Sequence, residues 1–113
     1  MNRYCFALDL KDDPKLIGEY EAYHRSVWPG ILQSILDSGI ISMEIYRLHT
    51  RLFMIMDTGE AFSFEKKKQM DKDNPLVQKW EELMWKYQQA LPGARAGDKW
   101  ILMEKIFSVP VTS

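Results

Sequence analysis

A single cysteine, Cys5, stands in this chain of 113 residues. That excludes an internal disulfide and any metal site built from several cysteines. Neither sign of charge is in excess: 15 Lys and Arg face 16 Asp and Glu, a formal net charge of −1. No global field therefore recruits nucleic acid or an anionic membrane. The nearest thing to a basic patch is Lys66-Lys67-Lys68. It is flanked by Glu65, Asp71 and Asp73 and reads as the solvated face of a helix. Long apolar runs are missing, so no membrane span is expected, and the opening MNRYCFALDL has no signal-peptide core. The cytoplasm is the expected compartment. A phosphate-binding glycine loop, a nucleophile elbow, a metal-ligand cluster and a dinucleotide fingerprint are absent too. A reaction needing only proton transfer, or simple binding, remains.

What is present is an ordinary globular composition, 46% hydrophobic and 27% charged, at a length that suits one domain over residues 1–113. Tyr4 to Leu10 reads as a strand that stops at Lys-Asp-Asp-Pro. Asp13 then stands as N-cap with Pro14 at the first helical position. Leu16, Ile17, Tyr20, Tyr23, His24 and Val27 recur at helical spacing and present one apolar, aromatic face. Pro29 disfavours a helical Trp28 and breaks the run, and a further helical stretch from Ile31 ends at Gly39. Ser42–Leu48 and Leu52–Asp57 form a hairpin around His49-Thr50-Arg51. A polar helix is expected from Phe62 to about Lys72. Asn74-Pro75 opens another, to about Gln89, with Leu76, Val77, Trp80, Leu83, Met84 and Tyr87 as its stripe. Trp100 to Val109 is the last expected strand. The order β-α-β-β-α-β is an α+β, ferredoxin-like fold with helices on one face of an antiparallel sheet. Its other face stays uncovered, and a second copy of the chain is the expected cover, giving a dimeric α+β barrel.

Two histidines are available for chemistry near neutral pH. His49 lies in the hairpin turn, where a polar residue needs no further explanation. His24 lies on the apolar side of the first helix, four residues after Tyr20. Such positions are about 40° apart around a helix and ~6 Å along it, so both side chains reach one small object. Spacing alone favours a partly buried histidine satisfied by a tyrosine or a carbonyl. Trp28 closes the same segment, and Trp80 lies on the inner stripe of the later helix. Aromatic rings beside polar groups suit a sugar, although each tryptophan taken singly reads as core. Trp85 and Trp100 read as core without a rival, and the seven methionines as core filler.

The run Tyr20-Glu21-Ala22-Tyr23-His24-Arg25-Ser26-Val27-Trp28-Pro29 resembles the corresponding segment of L-rhamnose mutarotases. The likeness continues through Gly39, Glu44-Ile45-Tyr46, Leu52-Phe53, Val77-Gln78-Lys79-Trp80 and the final strand. It implies a ferredoxin-like homodimer that interconverts the α and β anomers of L-rhamnose. It also implies that His24 takes the family's proton-donor position, Tyr20 a substrate-binding position and Trp80 the first of two adjacent tryptophans. Glu81 stands where the second tryptophan would be, and Met43 where a substrate-binding tyrosine would be. The candidate substrate-binding set is therefore Tyr20, Trp80, Glu81, Met43 and Trp28, around a catalytic His24. Related proteins act on L-fucose, and the two departures bear on the choice between the sugars: L-rhamnose first, L-fucose close behind.

Mutarotation opens the pyranose to the aldehyde, rotates the C1–C2 bond and recloses on the other face. Protonated His24 would supply the ring oxygen with its proton, and Glu81, Glu104 or a water would accept the proton of the anomeric hydroxyl. No metal or organic cofactor is implied, and the partners expected are a monosaccharide and a second copy of the chain. Other classes share the fold: a dimeric α+β-barrel monooxygenase or haem-binding protein, in which a helical histidine ligates iron, and a non-enzymatic ligand-binding dimer.

Overall fold

Helices begin where the sequence supplies a cap followed by proline. In the computed structural model, which describes residues 1–110, β1 (Asn2–Leu10) leads to α1 (Pro14–Arg25). The Asp13 carboxylate accepts hydrogen bonds from the backbone N–H of Lys15 (2.9 Å) and Leu16 (3.3 Å). Trp28 turns to extended backbone (φ −55°, ψ 131°) before Pro29, and α2 (Pro29–Asp37) starts afresh there. Gly39 follows at φ +98°, the left-handed conformation that lets the chain leave the helix toward β2 (Ile40–Leu48). His49 and Thr50 turn the chain into β3 (Arg51–Thr58), with the His49 carbonyl accepting from Arg47 at 2.7 Å. α3 (Phe64–Lys72) begins two residues later than Phe62, because the Ser63 hydroxyl caps it by accepting from the Lys66 N–H. α4 (Pro75–Trp85) opens behind Asn74, whose side chain accepts from Leu76 (3.0 Å) and Val77 (3.4 Å).

The sheet is antiparallel in the order β2-β3-β1, with two short strands on the far edge of β1: β4 (Gln88–Gln89) and β5 (Ile101–Leu102). This is the ferredoxin-like arrangement. Two expectations are corrected there. The last long helix does not reach Gln89. It stops at Trp85, the Tyr87 carbonyl accepts from the Lys11 N–H at 2.9 Å, and Gln88 and Gln89 pair with Leu10 and Asp9. The open edge of β1 draws these residues out of the helix by offering backbone partners. The last strand, expected over Trp100–Val109, consists of Ile101 and Leu102 with one further bond from the Met103 N–H to the Cys5 carbonyl. Beyond it the described residues form no further strand, and Ile106 and Phe107 are 93% and 78% exposed.

Register decides which face is which. Phe6 opposes Met54, Leu8 opposes Leu52, and Met43 and Ile45 oppose Met56 and Met54, so these side chains share the face under the helices. Leu10 and Leu52 join Ile17 and Tyr20 of α1, Met84 of α4 and Tyr87 in one buried cluster. α3 packs on the same side, with Phe64 edge-on to Tyr4 at 4.8 Å. Cys5, Ala7, Phe53, Ile55 and Tyr46 alternate to the other face, which no helix among the described residues covers. The pair Arg3–Asp57 (2.8 Å) and the pair Arg51–Asp9 lie at its two ends. No helix among the described residues is long and apolar enough to cross a membrane.

Leu8 and Leu52, 0% and 1% exposed, face each other across the β1–β3 ladder near its hairpin end. Leu52→Ala should therefore destabilise the chain by about 2–5 kcal/mol. A urea titration reads this, and a loss below ~1 kcal/mol would show that the core lies elsewhere.

Candidate functional site

The inner face of α1 carries Tyr20 and His24 one turn apart, and the helix itself orients the histidine. Its Nδ1 lies 2.9 Å from the Tyr20 carbonyl oxygen. A carbonyl only accepts, so Nδ1 carries the hydrogen and Nε2 is the free nitrogen. The bland expectation for His24, satisfaction by a carbonyl, thus holds for one nitrogen and leaves the other available. Burial pushes the imidazole below its ordinary pKa of 6.5, and the bond to the Tyr20 carbonyl only partly opposes this. The ring is therefore mainly neutral at pH 7. Any proton that Nε2 does receive is held weakly, as suits a group that passes it on.

Rings surround the imidazole. Tyr20 packs at 4.3 Å between centroids, and Trp80 of α4 meets it edge-on at 5.8 Å. Trp28 sits edge-to-face on Trp80 at 5.0 Å. Between these rings and the sheet lies a cavity of about 890 Å³, within the range of small-molecule sites. His24, Tyr20, Trp80, Glu81 and Met43 all line it. Trp28 does not; it backs Trp80 and fixes that ring's tilt. Met43, Met54 and Met56 make an apolar floor. Glu81 stands at the side, half exposed, 4.0 Å from Lys99. Glu104 lies in the exposed segment after β5, away from the lining residues.

The lining residues that the sequence reading did not place at the site include Gln88, Lys99 and Trp100. Gln88 was placed in a helix, although its glutamine pair follows the last apolar stripe position and could have marked the change. Trp100, read as core, does pack against the buried cluster and lines the cavity as well. It lines the cavity because residues 90–100 leave the edge of β1 after β4 and come back over the site before β5. Burial pushes the Tyr20 phenol above its usual pKa, so it stays protonated, and Gln88 Nε2 donates to its oxygen at 3.3 Å. Among the described residues, no group of three or more His, Cys, Asp or Glu is placed to hold a metal ion.

The arrangement offers a proton-transfer nitrogen, a protonated phenol, a carboxylate, aromatic walls and an apolar floor. A family model described as L-rhamnose mutarotase matches residues 3–109. An L-fucose mutarotase of Xanthomonas campestris pv. campestris is 43% identical over 111 residues, covering 96% of this chain and 89% of that protein. An L-rhamnose mutarotase of Phocaeicola vulgatus is 32% identical over 89 residues, covering 74% of this chain and 77% of that protein. The crystal structure of an L-rhamnose mutarotase from Formosa agariphila superposes with a TM-score of 0.71 over 96% of this chain and 98% of that one. At 22% identity, this last likeness establishes the fold alone.

The lowered pKa of His24 has a measurable sign. The unfolded chain binds the extra proton first, so this residue's contribution to stability is complete above about pH 6.5. It is lost as the pH falls toward the folded value. An NMR titration of the His24 ring should give a midpoint below 6.5, and a midpoint above that value would contradict the burial argument.

Proposed function

This chain belongs to the L-rhamnose mutarotase family and is a sugar mutarotase, an isomerase acting on carbohydrates, and from that premise we propose that its substrate is a 6-deoxy-L-hexose, with His24 as the proton donor. The carrying observation is the free Nε2 of His24, oriented by the Tyr20 carbonyl inside a cavity walled by Trp80. His24 delivers a proton to the ring oxygen as the C1–O5 bond breaks. The anomeric hydroxyl meanwhile gives up its proton to Glu81 or to a water, leaving the open-chain aldehyde. Rotation about C1–C2 and reversal of the two transfers close the other anomer. Weak proton affinity at Nε2 favours donation, and the modest acceleration that acid–base catalysis supplies suits a reaction that already runs in water. The comparisons do not favour the monooxygenase, haem-binding or non-enzymatic readings.

The order of the two sugars is reversed relative to the sequence motif. L-fucose becomes the first candidate and L-rhamnose the second, because the L-fucose relative matches nearly the whole chain at 43% identity. The methionine floor supplies an apolar seat for a C6 methyl group, and Trp80 packs against the C–H face of the ring. Glu81 and Met43 are where preference between the sugars should reside, since a group that binds a hydroxyl discriminates more strongly than one that meets a methylene.

The active form is a homodimer joined through the uncovered sheet face. Tyr46 and Leu48 of that face are 53% and 80% exposed, and the apolar segment after β5 is exposed too. The near-neutral charge and the absence of a long apolar run support a cytoplasmic protein that binds neither nucleic acid nor membrane.

His24→Ala should slow anomer exchange, read by NMR on free L-fucose and L-rhamnose, by ~10²–10⁴-fold while the fold persists. A folded variant that keeps the wild-type rate would remove His24 from the mechanism. Tyr20→Phe should be milder, since only the hydroxyl is lost. Light scattering at micromolar concentration should return twice the 13.3 kDa monomer mass. The monomer mass across that range would refute the dimer.

A further inference from the structure

Polar groups facing an apolar cavity need partners, and here the Tyr20 hydroxyl hydrogen and the Gln88 Oε1 take none from the described residues. The Gln88 side chain is 6% exposed, lines the cavity and donates from Nε2 to the Tyr20 hydroxyl oxygen at 3.3 Å. That bond occupies a lone pair of Tyr20 Oη and leaves its proton undonated. The direction matters: a donor on Oη frees the phenol hydrogen, whereas an acceptor would have consumed it. The Gln88 Oε1 also takes no hydrogen bond from the described residues, yet no buried side-chain nitrogen or oxygen among them lacks a partner. Oε1 is therefore open to the cavity. One amide bond fixes it beside the nitrogen that holds Tyr20.

We propose that Tyr20 Oη–H and Gln88 Oε1 act together on one ring hydroxyl of the sugar, which makes Gln88 a specificity-determining residue. A sugar hydroxyl is donor and acceptor at once, so it gives its hydrogen to Oε1 and takes one from Oη. The other buried lining residues, Ile31, Ile40, Met54, Met56, Val77 and Met84, are apolar, and the remaining polar ones, Ser34 and Ser42 among them, are half-buried or exposed. A sugar lacking that hydroxyl, or holding it on the other side of the ring, leaves two desolvated groups unpaired. Such a site discriminates more strongly than a single lost contact would. The inference rests on the mutarotase reading above and adds to it the residue that reads hydroxyl position.

The test compares wild type with Gln88→Met, which keeps length and volume and removes both amide groups. Saturation kinetics of anomer exchange are measured by NMR on L-fucose and on its 2-, 3- and 4-deoxy analogues. With L-fucose, Gln88→Met should raise KM about tenfold and leave kcat within a factor of about two. With the one analogue that lacks the hydroxyl concerned, wild type and variant should have the same KM. Tyr20→Phe combined with Gln88→Met should be no worse than the more damaging single change, because the two groups serve one hydroxyl. Gln88→Glu has the same shape and carries the comparison if Gln88→Met does not fold. Its carboxylate takes the Tyr20 hydrogen, so it too should lose affinity at neutral pH. Unchanged KM for L-fucose in the folded variants would overturn the proposal, as would an equal loss on all four sugars, the pattern of a merely structural residue. If wild type exchanges neither L-fucose nor L-rhamnose, the functional reading falls and this inference with it.

Discussion

The backbone of β1 has two edges, and only one of them meets a full-length partner. β3 pairs with it from Asn2 to Asp9, while the other edge is shared by β4, near Leu10, and β5, near Phe6. Unpaired N–H and C=O groups on a central strand are costly, so the edge recruits whatever chain is near. It ends α4 early and delivers Gln88 to the cavity lining. Because the two short strands are not continuous, residues 90–100 are free to travel outward and return. That excursion brings Lys99 and Trp100 over the site. The demand for backbone hydrogen bonds along one strand thus decides which side chains surround the ligand.

The geometry around His24 rests on a division of labour within one turn of α1. Tyr20 uses its carbonyl to hold His24 and its ring to shield it, and presents its hydroxyl separately. The histidine does not depend on a carboxylate for its orientation, so its pKa is governed by burial and stays low. A charged partner would have raised it and made the proton harder to release. Trp28 does indirect work, setting the tilt of Trp80 across a proline-marked break between α1 and α2.

Much of this is legible in the chain before any coordinates. Asp13-Pro14 and Asn74-Pro75 announce two helices because a capping oxygen and a fixed φ act locally, within three residues. The Tyr20–His24 pair is legible because helical spacing guarantees proximity. Gln88 and Trp100 are not, since Gln88 itself and Ile101, the neighbour of Trp100, are placed by pairing with Leu10 and Ala7 of β1, at the other end of the sequence. The periodic stripe through Tyr87 also hides the end of α4: the ring is buried as a helical residue there would be, but by the turn into β4. Met43 illustrates the opposite limit. Strand alternation puts it on the inner face without saying whether that face is packed or hollow.

The wall supplied by residues 90–100 is fastened near the cavity by Lys99, which reaches Glu81 at 4.0 Å and lies 5.5 Å above the Trp85 ring. Both ends of that ion pair are about one-third to two-fifths exposed. A pair of this kind is worth ~0–1 kcal/mol, not far from thermal energy, and dissolved salt weakens it further. The helices on the other side are tied by buried aromatic and aliphatic contacts that salt does not touch. The two sides of the cavity are therefore held by different forces: the Lys99 contact weakens in salt, whereas Trp100, packed on the buried core, and the helices do not depend on charge.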